Sequence, residues 1–444
     1  MKRIFAIVLM VIMIFSCFVA CGEEETQKGV ESTKGLEFKL NKDEKSYTLA
    51  GIGTCKAEEI VVDYYNGYPV TEIARNAMSR TNSIKTLTIG DSVTKIGEMS
   101  FYGCENLTQI NIGKSVDTIG KNAFEKCISL VEVEIPAGID NIPMRAFGDC
   151  TSLERVVIGE DVDEISRYAF ENCSSLCSVT IPSKMKFIRE NAFLGCNNLV
   201  EVINKSNLEF TKGSDENGKV AYYALKIHNG ESELIRKDDY VFYSVEKTNY
   251  LVKYLGDKTD ITLPDDFDGE AYVIAPYAFY KNTKVNSLKL GKKIAGIGKN
   301  AFEGMTSLKK VDLGTSVVAI GAETFLGCSA LDTIVIPDSV KGMGINVFKN
   351  CTALKNVTLG KGLESIGEGT FVACVALENF TIPENINKIG TNVFEGCKNL
   401  KSIDIKVKDG WKVNDKSISA EDIADKEKTA QYFTETYLNK TWER

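Results

Sequence analysis

Apolar residues return along the chain with a period of 23. Phe101, Phe124, Phe147, Phe170 and Phe193 stand 23 residues apart, and Phe279, Phe302, Phe325, Phe348, Phe371 and Phe394 repeat the series further on. Met78 extends the first series backwards. Around each Phe the other apolar positions keep fixed places, as in Ile139, Ile142, Ala146, Phe147, Cys150, Leu153, Val156 and Ile158. This spacing matches neither the 3.6 period of one helix nor the 2 period of one strand. It matches one turn of a coil in which every side contributes inward residues. Six such units run from residue 70 to 206, and six more from 271 to 408.

Each side of a coil has its own local signal. Leu-x-x-Val-x-Ile alternates at its end, so Val156, Val157 and Ile158 predict a short strand paired in parallel with the same segment of neighbouring coils. Val93 to Gly97 predicts a second short extended stretch on the opposite side. Ala-Phe-x-x-Cys is too short for an α-helix and predicts a turn or a single 3₁₀ turn. No coil can bury its own Phe, so the core exists only between stacked coils.

The pattern Ile-Gly-x-x-Ala-Phe-x-x-Cys-x-x-Leu-x-x-Val-x-Ile-Pro is nearly filled by Ile119 to Pro136. It resembles the 23-residue leucine-rich repeat of BspA-like bacterial surface proteins, also found in treponemal surface antigens. The departures are local, with Met78 in place of Phe, and Thr81, Asn282 and Met305 in place of Cys. Spacing and resemblance together predict an α/β-poor solenoid: a leucine-rich-repeat superhelix with short parallel strands, its two repeat arrays separated by a small β insertion and followed by a C-terminal capping helix, as the segments outside the repeats suggest. The resemblance implies surface exposure and adhesion or ligand binding.

Segments outside the repeats frame the two arrays. Tyr47 to Gly53, followed by Ile60 and Asn66-Gly67, is echoed by Tyr250 to Gly256, Ile261 and Asp268-Gly269. Each copy opens an array and is expected to cover the first coil's strand edge with a β-hairpin, because an open edge invites aggregation. Residues 37–69 form the first such cap, and 207–270 a β insertion with the second. In 409–444, Ser419 to Asp422 resembles a capping box, and Ile423, Ala430, Phe433, Tyr437 and Leu438 suit one face of a closing helix that reaches Trp442.

The first 21 residues read as a targeting segment, with Lys2 and Arg3 before an apolar run from Ile4 to Phe15. Phe18-Val-Ala-Cys21-Gly22 resembles a bacterial lipobox, which makes Cys21 the candidate lipidation site and the chain a membrane-anchored lipoprotein on the bacterial surface. A plain secretory signal with a chance Cys is the alternative. Residues 22–36 read as a flexible tether. Removing Lys2 and Arg3 with the leader leaves 51 basic against 61 acidic residues, a net charge of −10 that speaks against a nucleic-acid groove.

Chemistry is scarce. Nine of the 13 Cys occupy one repeat position, from Cys104 to Cys397, which marks them as packing elements and free thiols rather than a disulfide framework. The one His, His228, sits in a predicted strand and reads as structural. Ser183-Lys-Met-Lys186 lacks the companion motifs of a Ser-x-x-Lys enzyme, and Asp265 to Gly269 is half a calcium loop that reads first as a hairpin turn. The sequence therefore calls for no catalytic residue, no cofactor and no metal.

Function must then lie on the surface, in the strand side chains that point away from the core. One column comprises Thr88, Asn111, Glu134, Val157, Thr180 and Ile203, then Lys289, Asp312, Val335, Thr358, Thr381 and Asp404. Beside it run Thr86, Gln109, Glu132, Arg155, Ser178 and Glu201, then Ser287, Lys310, Thr333, Asn356, Asn379 and Ser402. The candidate ligand-binding face is drawn from these: Asn356, Thr358, Asn379, Thr381, Lys310 and Asp312, with Glu132, Glu134 and Arg155. The expected partner is a protein or other surface ligand. The alternatives are a spacer or scaffold with no dedicated ligand and, further off, a hydrolase or a calcium-dependent module.

Overall fold

The computed structural model describes residues 29–444. The expected leader with Cys21 and the start of the expected tether lie outside the described residues. Among the described residues no helix is long and apolar enough to cross a membrane.

The 23-residue period becomes a solenoid with two parallel ladders, one on each side of the coil. On the first, Thr86–Ile89 pairs with Gln109–Ile112, and Glu132–Glu134 with Arg155–Val157. Residues exactly one period apart face each other, as Glu132 faces Arg155. The second ladder carries two-residue strands such as Lys95–Ile96 and Thr118–Ile119, in the same register. Gly120 in this ladder is required by closeness rather than by φ, because a Cβ there would stand 2.4 Å from the Glu98 nitrogen on the preceding coil. Both sheets recur in the second array, from Asp260–Thr262 to Ser402–Ile405 and from Thr248–Tyr254 to Lys388–Ile389.

The Ala-Phe-x-x-Cys side is a run of turns without a helix, and in the turn from Asn122 to Cys127 every backbone donor finds an acceptor. The amides of Asn122, Phe124 and Lys126 reach up to the carbonyls of Met144, Ala146 and Gly148 on the next coil. The amides between them turn back three residues, as Glu125 does to Asn122, and Cys127 continues the pattern to Phe124. This alternation places the residues two before and two after the Phe in the left-handed region, as at Asn122 and Lys126. Asn recurs at the first of these positions because its short side chain tolerates that conformation best after Gly.

The core follows. Phe101 to Phe193 form a continuous stack with ring centroids 5.2 to 5.6 Å apart. The nine repeat cysteines are free and buried. Each donates its S–H to the backbone carbonyl 26 residues earlier, Cys150 to Phe124 at 3.2 Å and Cys397 to Phe371 at 3.0 Å. A thiol here fills a small apolar space and satisfies a carbonyl at once.

The ends are closed as the hairpin echo predicted. Glu37–Leu40 pairs antiparallel with Tyr47–Gly51, whose other edge pairs in parallel with Tyr68–Ile73. Tyr240–Val245 and Thr248–Tyr254 repeat this arrangement before the second array. Three expectations need correction. The end of the expected tether belongs to the first cap, because the Ser32 and Thr33 amides donate to the Tyr64 and Val61 carbonyls and Leu36 is buried in the core. Part of the expected β insertion is a further coil: Lys226–His228 pairs in parallel with Glu201–Asn204, and Val220 is buried in the first array's core. Its Phe and Cys are missing, which hid it from a pattern keyed on those residues. The expected single closing helix breaks at Asp425, an extended residue that ends Ala420–Ala424 and caps Lys426–Gln431. Trp442 then lies in a strand, antiparallel to both Lys388–Ile389 and Lys412–Val413.

Candidate binding face

The first ladder sets the outward strand residues in columns, because strict 23-residue register puts equivalent side chains side by side. Glu132, Glu134 and Arg155 are exposed on the first array, and Arg155 forms an ion pair with Glu132 across the register. With both side chains more than half exposed, such a pair contributes at most ~1 kcal/mol, leaving the charges free to respond to a partner.

Further along this array the columns are covered. Glu201 and Ile203, expected to point into solvent, are buried. The loop after Lys226–His228 folds back over the face, and the Glu201 carboxylate accepts hydrogen bonds from Ser178 Oγ and Ser232 Oγ, both at 2.6 Å, and from the Glu233 N–H at 2.8 Å. His228 Nε2 lies 3.1 Å away. Burial raises the Glu201 pKa, but these hydrogen bonds outweigh it, and the carboxyl ionises below its ordinary value. His228 is thus a partner of a buried carboxylate within the fold. Arg236 ties the same segment to Glu154 at 2.6 Å.

The second array keeps its face open. Lys310, Asp312, Asn356, Thr358, Asn379 and Thr381 are all exposed, on three coils that span three periods. Between them stands Val335, 55% exposed, an apolar spot in a polar field. The Ser402 hydroxyl donates to Asn379 Oδ1 at 2.6 Å, leaving the Asn379 amide donors directed elsewhere. The columns end at Asp404, which is held by Lys406 at 2.8 Å, Lys408 at 3.1 Å and Lys426 at 3.2 Å. The hydrogen bond from Lys406, followed by those from Lys408 and Lys426, keeps its carboxyl well below the usual range. Six of the expected face residues therefore form one surface, while Glu132, Glu134 and Arg155 belong to a separate patch on the first array.

The short motifs are absorbed by the scaffold. Lys186 is paired with Asp163 at 2.9 Å. Asp265 and Asp268 are engaged by Lys292 at 2.6 Å and Lys237 at 2.8 Å.

The family model of the BspA type leucine rich repeat region matches residues 71–200 and 266–407, together more than half of the chain. The chain belongs to the BspA-type leucine-rich repeat family. No curated protein matches it. Among solved structures, this BspA-type chain is similar to a leucine rich cell surface protein from Faecalibacterium prausnitzii, at 21% identity over 86% of this chain and 89% of that one, with a TM-score of 0.32. It is also similar to the pneumococcal vaccine antigen PcpA, at 20% identity over 86% and 94% with a TM-score of 0.38. The leucine rich repeat protein of T. pallidum follows at 17% identity over 72% and 88%, with a TM-score of 0.27.

Proposed function

We propose that this protein is a non-enzymatic bacterial surface protein that adheres to, or captures, a protein ligand through the strand face of its second array. The observation that carries this reading is the contrast between the two faces: the fold covers the end of the first array's columns and leaves four successive coils of the second array open. Asn and Thr side chains in strict register offer directional hydrogen bonds, and Val335 adds a small apolar contact. Recognition on such a surface is polar and partly wet. Export and an acyl anchor at Cys21 would carry the array to the cell exterior.

The test is a pull-down from surface extracts with the chain from Gly35 onward, followed by titration of the captured protein. Asn356→Ala with Asn379→Ala is expected to weaken binding without lowering the melting temperature. Equal loss from Lys361→Ala and Lys388→Ala, with the Asn changes silent, would place recognition on the opposite side of the coil and reject this face.

A further inference from the structure

We infer that the cleft between the two arrays is a second binding site, one that receives the guanidinium of an arginine-bearing peptide. The inference is independent of the strand face, because this cleft lies on the turn side of the coils. It measures about 540 Å³, larger than one side chain and large enough to admit a short stretch of backbone with it.

Three features define what fits. The first is aromatic. Tyr223 and Tyr277 meet with ring centroids 5.2 Å apart and planes at 76°, and Tyr277 and Tyr280 at 5.6 Å and 79°. Rings set at right angles present faces in more than one direction, the arrangement that cages cations. Lys281 shows that such a ring accepts a cation, since its ammonium lies 4.9 Å from the Tyr280 centroid.

The second is an excess of acceptors. The lining carries the carboxylates of Asp149, Glu303 and Glu323 against the single ammonium of Lys281. Burial pushes the Glu303 carboxyl above its ordinary value; the Asn300 amide opposes this, and the charge of Glu323 adds to the rise. A cation entering the cleft would relieve that penalty.

The third is an unsatisfied oxygen. Asn300 lines the cleft and is 2% exposed. Its Nδ2 donates to Glu303 Oε2 at 2.6 Å and to Glu323 Oε2 at 3.1 Å, which fixes the orientation of the amide. The Oδ1 is left buried with no donor. A ligand rich in N–H groups is what the carboxylates of this lining lack, and a small shift of the Asn300 turn would add Oδ1 to the acceptors it meets. Guanidinium supplies five donors in a plane, stacks on aromatic faces and sheds its water more easily than an ammonium, so arginine fits better than lysine. A neutral sugar would also stack on tyrosines but would leave the carboxylate repulsion in place.

The experiment is calorimetric titration of the full chain with an acetylated, amidated peptide of alternating glycine and arginine, and with the same peptide carrying citrulline in place of arginine. Citrulline keeps the shape and removes the charge. The arginine peptide is expected to bind and the citrulline peptide to bind at least about ten-fold more weakly, the loss of a desolvated charge contact. Glu303→Gln with Glu323→Gln should weaken the arginine peptide about thirty-fold or more. Tyr280→Phe should retain binding and Tyr280→Leu lose it, while Asn356→Ala with Asn379→Ala should leave the titration unchanged. Equal binding of both peptides, no heat from either at millimolar concentration, or binding of a neutral oligosaccharide that survives the Gln changes would overturn the proposal. The peptide comparison needs no variant, so it decides even where a substitution disturbs folding.

Discussion

Replacing Phe147 by Ala tests the account of the core most directly. The ring is fully buried and stacked between Phe124, 5.4 Å away, and Phe170, 5.6 Å away. Removing a buried Phe side chain costs ~3 to 5 kcal/mol, and the value depends on how far the surroundings collapse into the space. Here they are held apart. The Phe124 N–H bonds to the Ala146 carbonyl and the Phe147 N–H to the Ala169 carbonyl, both at 2.9 Å, so the coils on either side keep their distance. Two aromatic contacts, worth ~0.5 to 1.5 kcal/mol each, are lost as well. The upper part of the range is therefore expected. Because the Phe stack and both ladders join a coil to its immediate neighbours, most of the damage should stay in the first array, with only side-chain contacts such as Arg236–Glu154 crossing the junction. The chain's two tryptophans make this measurable: Trp411 and Trp442 are both buried in the second array's core. In urea, far-UV circular dichroism should show an early transition in the variant while tryptophan fluorescence keeps the parent midpoint. A change under ~0.5 kcal/mol, the size of a surface substitution, would refute the inward placement of Phe147. An equal shift in both signals would refute the independence of the arrays.

Other consequences follow from titratable groups and from the proposed acyl anchor. Burial pushes the thiols of Cys328 and Cys397 from 9.0 to about 12, so the unfolded chain releases these protons first as pH rises. Their contribution is complete below pH 9 and declines toward pH 12 at up to ~1.4 kcal/mol per pH unit for each thiol; a Cys328→Ala variant with an unchanged alkaline unfolding profile would contradict this. Glu201 has a lowered folded pKa, so its contribution is present above its ordinary value of 4.5 and lost as pH falls through the folded value. Glu201→Ala should cost ~3 kcal/mol or more at neutral pH and shrink the difference between neutral and acid urea midpoints, since it strips the shared partner from Ser178, Ser232 and His228. Cys21→Ser should move the protein from the membrane to the soluble fraction, and unchanged fractionation would reject lipidation at this residue. A single acyl chain binds only weakly, so the mature anchor is expected to carry more than one.

The amino-acid sequence by itself determined the coil. A 23-residue period with Phe, Cys, Leu, Val and Ile in fixed places admits no other way to bury all of them, so the ladders, the stacked rings, the buried thiols and the hairpin closures at each array were legible in advance. The left-handed residues around each Phe were visible only as recurring Asn and Gly, a signal that gains meaning once the alternate amides are seen to bond the next coil. Tertiary structure decided the rest. Whether an outward strand residue meets solvent depends on what packs across it: Glu201 and Asn379 hold the same repeat position, yet a returning loop buries one and leaves the other open. The coil at Lys226–His228 lacks the marker residues and exists because the preceding strand offers it an edge. The tyrosine cleft joins turns from two arrays more than a hundred residues apart in part, such as Asp149 and Glu303, and no period links them. Repetition fixes contacts between neighbouring coils, because those recur every 23 residues; contacts across the junction occur once and are set only when the two arrays pack.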